Sequence, residues 1–203
     1  MSARSARAKQ PIPLPKREAI LQAALEVFAE YGVHGVPVPE IAARAGVGTG
    51  TIYRFFASKE ALVNEVFREQ KRALGRRLND NRDRDLDPKE GFREHWRRLV
   101  AFAREEPAAF RFLELQDHLQ YLDAESRAIG DEVVDPIAAH CLKLQRRGIF
   151  RKDIRVDVII TLHWGVFVNL FKSERSGYLK LSARDIAASC EACWRMFAAN
   201  PED

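Results

Sequence analysis

Between Ile41 and Phe56 the chain reads IAARAGVGTGTIYRFF, an order that suits two short helices joined by a tight turn. Ile41 to Ala45 is the end of a small-residue helix, and Gly46 stands where a left-handed residue stops it. Val47 is placed to plug the angle between the helices, and Gly48 or Thr49 opens the second one. A helix, a glycine-containing turn of three or four residues and a second helix make up the helix-turn-helix pattern. Spacing alone is a weak signal, because any αα-corner with a glycine imitates it.

The chemistry of the second helix strengthens it. Its first turn, Thr49-Gly50-Thr51, has small side chains that let a helix settle deep into a groove. Threonine hydrogen-bonds base edges or packs its methyl on a thymine methyl. Tyr53 and Arg54 follow one turn later, at the reach of phosphates, while Ile52 and Phe56 at i and i+4 supply the inward face. The competing reading makes Tyr53 and Phe55 plain core aromatics.

The flanks extend the pattern. EAILQAALEVFAEYGVHGV (Glu18 to Val36), EIAARAGVG and GTIYRFFASKEAL (Gly50 to Leu62) together resemble the DNA-binding domain of the TetR/AcrR family of bacterial transcriptional regulators. The likeness spans Arg17 to Phe67, about a quarter of the chain, without gaps. It departs where Val36-Pro37-Val38-Pro39 replaces the usual Ser or Thr cap, where Gly48 replaces a usual Ser, and where Phe55 replaces a His or Tyr. The first two changes remove hydroxyls that often touch phosphate, so fewer or differently placed backbone contacts are expected. The resemblance implies an all-α fold, with a three-helix head over residues 17–62 and a helical effector-binding and dimerisation body over 63–203. It implies DNA contacts from Arg44, Thr49, Gly50, Thr51, Tyr53, Arg54 and Lys59. Lys59 opens a helix, against the dipole, and in family members the matching lysine touches phosphate.

Charge is unevenly placed. Residues 1–17 carry Arg4, Arg7, Lys9, Lys16 and Arg17 with no acid, within a net charge of only +4. Residues 1–16 read as a flexible basic arm, suited to salt-dependent phosphate binding or simply to solvent, with Pro11, Pro13 and Pro15 supporting disorder.

The remaining sequence reads as helices throughout. Ile20, Ala24, Val27, Phe28 and Tyr31 form the stripe of a first helix that ends at Gly32, with Phe28 and Tyr31 as its bulky core members. Ser58 caps a helix running to about Leu78, the link from head to body, and a mobile loop is expected over Asn79 to Asp87. Phe92, Trp96, Leu99 and Ala103 mark the next helix; Phe110, Leu113 and Leu119 mark another that runs out before Tyr121. A long helix from Asp123 to Gly148 contains Pro136, which is expected to kink it. Asp157 to Phe171 is apolar nearly all round and Ser182 to Phe197 is amphipathic.

The simplest cover for those last two helices is a second copy of themselves, packed as a four-helix bundle through Ile159, Leu162, Val166, Cys190, Trp194 and Phe197. The family dimerises through its last two long helices; a monomer with a thick core is the alternative. The apolar run Val158 to Phe171 is 14 residues, short for a bilayer, and no apolar segment follows the basic opening. A soluble cytoplasmic protein without a membrane partner is expected.

The resemblance implies a small-molecule cavity in the body, expected to be largely apolar, with Trp96, Phe112, Gln116, Tyr121 and Trp164 as preferred contacts, although core packing explains such aromatics equally well. Cys190-Glu-Ala-Cys193 lies inside a helical pattern and, with Cys141, reads as core or interface cysteine rather than redox or metal chemistry. His95, His118, His140 and His163 lack metal spacing, and no nucleophile motif or carboxylate cluster appears. Neither a cofactor nor catalysis is expected. The expected function is a repressor released from a palindromic operator by an effector. The alternatives are the same fold without a small-molecule effector, or an all-α enzyme or carrier using the body's cavity.

Overall fold

The computed structural model describes residues 16–79, 86–115 and 117–200. Nine α-helices follow one another among them: α1 (Lys16–Tyr31), α2 (Val38–Arg44), α3 (Thr49–Phe55), α4 (Lys59–Asn79), α5 (Pro88–Glu105), α6 (Pro107–Leu115), α7 (Ala124–Arg146), α8 (Val156–Arg175) and α9 (Ala183–Phe197). A 3₁₀ turn, Leu119–Tyr121, stands between α6 and α7. The described residues contain no strand, only one isolated bridge between Phe150 and Ala198. The basic arm, apart from Lys16, and most of the loop expected after Asn79 lie outside the described residues.

Local chemistry sets the helix ends. Gly32, Gly46 and Gly148 have φ of 76°, 67° and 72°, and they end α1, α2 and α7 as the sequence suggests. The Ser58 hydroxyl accepts the Ala61 N–H at 3.2 Å, Asp123 accepts the Ser126 N–H at 2.8 Å, and Ser182 forms a capping box with Asp185. Pro136 sits inside α7, which runs through it as one helix. Leu119 does not belong to α6: that helix ends at Leu115, and Leu119 is exposed in the 3₁₀ turn. Nor is Tyr31 a core residue. It is 55% exposed, and its hydroxyl is hydrogen-bonded to Glu30, which raises its pKa.

A continuous apolar core joins head and body. Ile20, Val27 and Phe28 of α1 are fully buried, and Phe28 stacks on Phe112 of α6 at 6.2 Å. α4 begins in the head and packs along α1, α5, α6 and α7. At Gly75 a Cβ would stand 2.9 Å from Val133 Cγ2, so α4 and α7 cross at a separation only glycine permits.

Candidate nucleic-acid interface

The turn between α2 and α3 is closed by backbone alone. Ala45 N–H donates to Ile41 O at 2.9 Å, Gly46 N–H to Ala43 O at 3.2 Å and Val47 N–H to Ala42 O at 3.0 Å. These bonds satisfy the last carbonyls of α2, and Gly46 supplies the left-handed residue they require. Both helices begin without a hydroxyl cap: Pro37 precedes α2 and Gly48 precedes α3, neither with a side-chain hydrogen bond. Ile52, 1% exposed, and Phe56 anchor α3 to the core.

What remains of α3 faces outward. Gly50, Tyr53 and Arg54 are exposed, with Thr49 and Thr51 half-buried beside them. A Cβ at Gly48 or Gly50 would meet nothing within 4 Å, so the helix's leading edge is bare backbone flanked by two threonines. Phe55 is also exposed, which removes it from the core reading and leaves an aromatic ring with no hydrogen-bonding group. Lys59, at the head of α4, lies 3.5 Å from the His34 carbonyl, and burial lowers its pKa.

Two arginines are less available than the sequence suggests. Arg44 is held by Glu26 at 3.3 Å and Glu30 at 3.7 Å, so a phosphate contact requires it to leave two carboxylates. Arg17 pairs with Glu65 and with Glu69 and stacks over Phe56 at 5.7 Å, where it fastens α1 to α4.

The residues that fix the head on the body escaped sequence reasoning. Asp117 accepts the Val33 N–H at 3.1 Å. Both ring nitrogens of His34 are engaged, Nδ1 by the Tyr121 hydroxyl at 2.9 Å and Nε2 by Gln120 at 2.5 Å. Asn64, buried in α4, donates to Glu60 O and Tyr121 O at 2.8 and 2.7 Å and accepts the Asp123 N–H at 2.9 Å. One signal for Asn64 was available: a lone amide among the apolar residues Leu62, Val63, Val66 and Phe67.

The preferred effector contacts do not form one group. Trp96 and Trp164 both pack on Phe167, at 5.9 and 5.6 Å. Phe112 instead stacks on His118 at 4.8 Å, and Tyr121 belongs to the His34 joint. Gln116 lies outside the described residues. Most of the expected dimer face is buried within the single chain. Ile159, Cys190, Trp194 and Phe197 point into the chain's own core, because the stripes of α8 and α9 are covered by α5, α7 and each other. Only Leu162 and Val166 of that set keep exposed surface. Burial pushes the Cys190 thiol up to about 12 and Cys193 to about 11, which leaves both as inert core thiols.

Helix α8 is longer than the 14-residue apolar run suggests. At 20 residues, with an 18-residue stretch of mean hydropathy 1.2, it is long and apolar enough to cross a membrane by length and composition, and 17% of that stretch is buried.

Comparison with known proteins agrees with this geometry. The family described as "Bacterial regulatory proteins, tetR family" matches residues 20–66, and "Tetracyclin repressor-like, C-terminal domain" matches residues 67–198. A fatty acid metabolism regulator protein of Bacillus subtilis is 46% identical over 56 residues, 28% of this chain and 29% of its own length. The transcriptional repressor KstR2 of Mycolicibacterium smegmatis is 27% identical over 157 residues, 72% of this chain and 73% of its own. The chain thus spans about a third of the length of several curated relatives that it matches. Among solved structures, a TetR family transcription regulator from Marinobacter aquaeolei superposes with a TM-score of 0.80 at 23% identity, covering 90% of this chain and 95% of that one. FadR from Bacillus subtilis, solved in complex with stearoyl-CoA, superposes at 0.67 with 21% identity, covering 89% and 96%.

Proposed function

The chain belongs to the TetR family of bacterial transcriptional regulators, and on that premise we propose that it acts as a homodimeric repressor. It is released from a near-palindromic operator by a small, largely apolar effector. The observation that carries this reading is the outward face of α3, with two threonines around bare Gly50 backbone and Tyr53 and Arg54 beyond them. Such a helix fits a major groove, where the threonines reach base edges and the tyrosine and arginine reach phosphates. KstR2, named a repressor, supports repression as the mode. The head is assigned to residues 17–62 and the effector and dimer functions to 63–203.

Dimerisation is assigned to the outward side of α8. Val158 is 41% and Leu162 39% exposed there. A shallow groove of about 500 Å³ runs past Thr161, Leu162, Gly165, Val166 and Asn169. An exposed apolar ridge with a glycine at its centre suits a second helix laid across it. The same helix buries Ile159, Phe167 and Phe171 in its own core, and for that reason we read it as an interface helix of a soluble cytoplasmic protein rather than a span. The relatives are named transcriptional regulators, and no catalytic role is assigned here.

The test is titration of the purified protein against duplexes tiled from the DNA upstream of its own gene, alongside sedimentation. A dimer that prefers one tile over scrambled sequence by about 10³ or more at physiological salt agrees with the proposal. A single-copy protein indifferent to every duplex at low ionic strength sinks it.

A further inference from the structure

Between α5, α8 and α9 the core is a set of rings gathered on Phe92. Phe92 meets His163 edge-on, 5.3 Å between centroids and 76° between planes, and Trp194 at 5.5 Å and 67°. Trp96 meets His163 in the same manner at 5.4 Å and 77°. Ring packing accounts for the carbon edges of this cluster but not for its nitrogens. Trp96 Nε1, His163 Nε2 and Trp194 Nε1 are sealed from solvent and make no hydrogen bond. Buried polar groups are nearly always paired, and a core built only for packing uses phenylalanine or leucine at such positions. Three unpaired nitrogens thus lie on rings that touch one another or share Phe92.

The three rings with unpaired nitrogens carry no fixed charge, and His95 of α5 lies beside His163 at 5.3 Å between centroids. Burial pulls the His163 pKa down to about 4, so the ring is neutral at cellular pH. Arg93 of α5, next to Phe92, is paired with Glu191 of α9 at 2.7 Å, and Arg97, next to Trp96, is paired with Glu90 at 2.8 Å and Glu94 at 2.9 Å.

Resting on the reading of the chain as an effector-released regulator, we propose that this cage is the effector site. It takes a flat, neutral, largely apolar molecule with at least two hydrogen-bond acceptors, of the aryl ketone or aryl ester kind. Trp96 and Trp194 donate to its oxygens and His163 makes the third hydrogen bond. Phe92 is half-buried at the rim and is the ring that turns aside to admit it. The site is connected to the head through α5. Arg98 of α5 reaches the Leu78 carbonyl of α4 at 3.4 Å, and Glu106, just beyond α5, pairs with Arg77 of α4 at 2.9 Å. Displacing α5 therefore pulls on the body end of the helix whose other end carries Lys59.

The chain has three tryptophans, so ¹⁵N-tryptophan labelling gives three indole signals, assigned by single Trp→Phe variants. Trp164, half-buried and packed on Phe167, serves as the internal reference. The probes are chromone and flavone, each beside a carbonyl-free molecule of similar size: naphthalene and 2-phenylnaphthalene. The Trp96 and Trp194 indole protons are expected at upfield, unbonded positions in the free protein. They move downfield with a ketone while Trp164 stays in place. At least one ketone binds about tenfold or more tighter than its hydrocarbon, and Trp96→Phe narrows that preference to about twofold while the Trp164 indole signal stays at its folded position. Bonded, downfield Trp96 and Trp194 signals in the free protein overturn the proposal. So does equal affinity for ketone and hydrocarbon, or no response to any ketone. Duplex binding by the same labelled sample separates the two readings. A protein that holds its operator while the cage stays silent loses only the effector site. One whose indoles respond but which holds no duplex keeps a ligand site and loses the regulator reading.

Discussion

In the proposed DNA complex Thr51 and Lys59 should contribute differently, because one offers shape and a hydroxyl and the other offers charge. Thr51 lies half-buried on the leading turn of α3, so its methyl and hydroxyl are held in place before contact. Thr51→Ala is expected to cost about 1–3 kcal/mol on the preferred duplex and almost nothing on a scrambled one. Lys59→Ala is expected to weaken every duplex alike and to lower the slope of log affinity against log salt by about one. Anisotropy titrations on both duplexes over a salt series check the pair, and equal losses for Thr51→Ala on the two duplexes remove it from base reading. Gly46 makes a prediction of a different kind. At φ 67° with open space around it, an added methyl meets no atom, so the penalty is purely backbone. Gly46→Ala should cost about 1–2 kcal/mol and lower the melting temperature by a few degrees, with Gly46→Asn losing less.

Elements meet at a joint that differs from the helices themselves in how far the sequence reveals it. Apolar period, caps and left-handed glycines are local, so α1 to α5 and α7 to α9 are legible from spacing, as is the inward pair Ile52 and Phe56. The end of α6 is not: Leu119 continues the apolar stripe, and only the demand of Val33 N–H on Asp117 and the exposure of Leu119 show that the helix has stopped. Tyr31 likewise continues the α1 stripe, yet Glu30 holds its hydroxyl at the surface. The candidate reading face was visible because its residue types are unusual, whereas His34, Asn64 and Asp117 act through partners far away in sequence. Asn64→Leu tests the joint. It keeps the volume but removes three hydrogen bonds and leaves the Tyr121 carbonyl and Asp123 N–H without their partner. A loss of about 2–4 kcal/mol in denaturant unfolding is expected, since each buried group left unpaired costs about 1–3 kcal/mol. Effector-driven release should weaken with it, because Asn64 ties α4 to the segment carrying Tyr121. A destabilisation below the error of the measurement removes Asn64 from the joint.

At the scale of the whole molecule, the proposed dimer places on the outward side of α8 the question of whether one reading head or two meet the DNA. The sequence could not separate the side of α8 that fills this chain's core from the side left for a partner, because both are apolar. The structure divides them, with Ile159, Phe167 and Phe171 inward and Val158 and Leu162 outward. Two substitutions of similar violence should therefore behave oppositely. Trp194→Ala empties a core position and is expected to lower stability by about 3–5 kcal/mol, whatever the oligomeric state. Leu162→Glu places a charge in the proposed interface but in solvent for a single chain, so folding should survive while sedimentation falls to the 23.2 kDa of one chain. Operator affinity should then collapse. The second head no longer arrives at the high effective concentration set by the first, and the span of about 34–36 Å between successive major grooves goes unbridged. Each head retains its own contacts, so weak, salt-sensitive binding to any duplex should persist in the Leu162→Glu protein, with its preference for a palindrome over a single half-site gone. A Leu162→Glu protein that still sediments as a dimer and still prefers the palindrome moves the interface off α8.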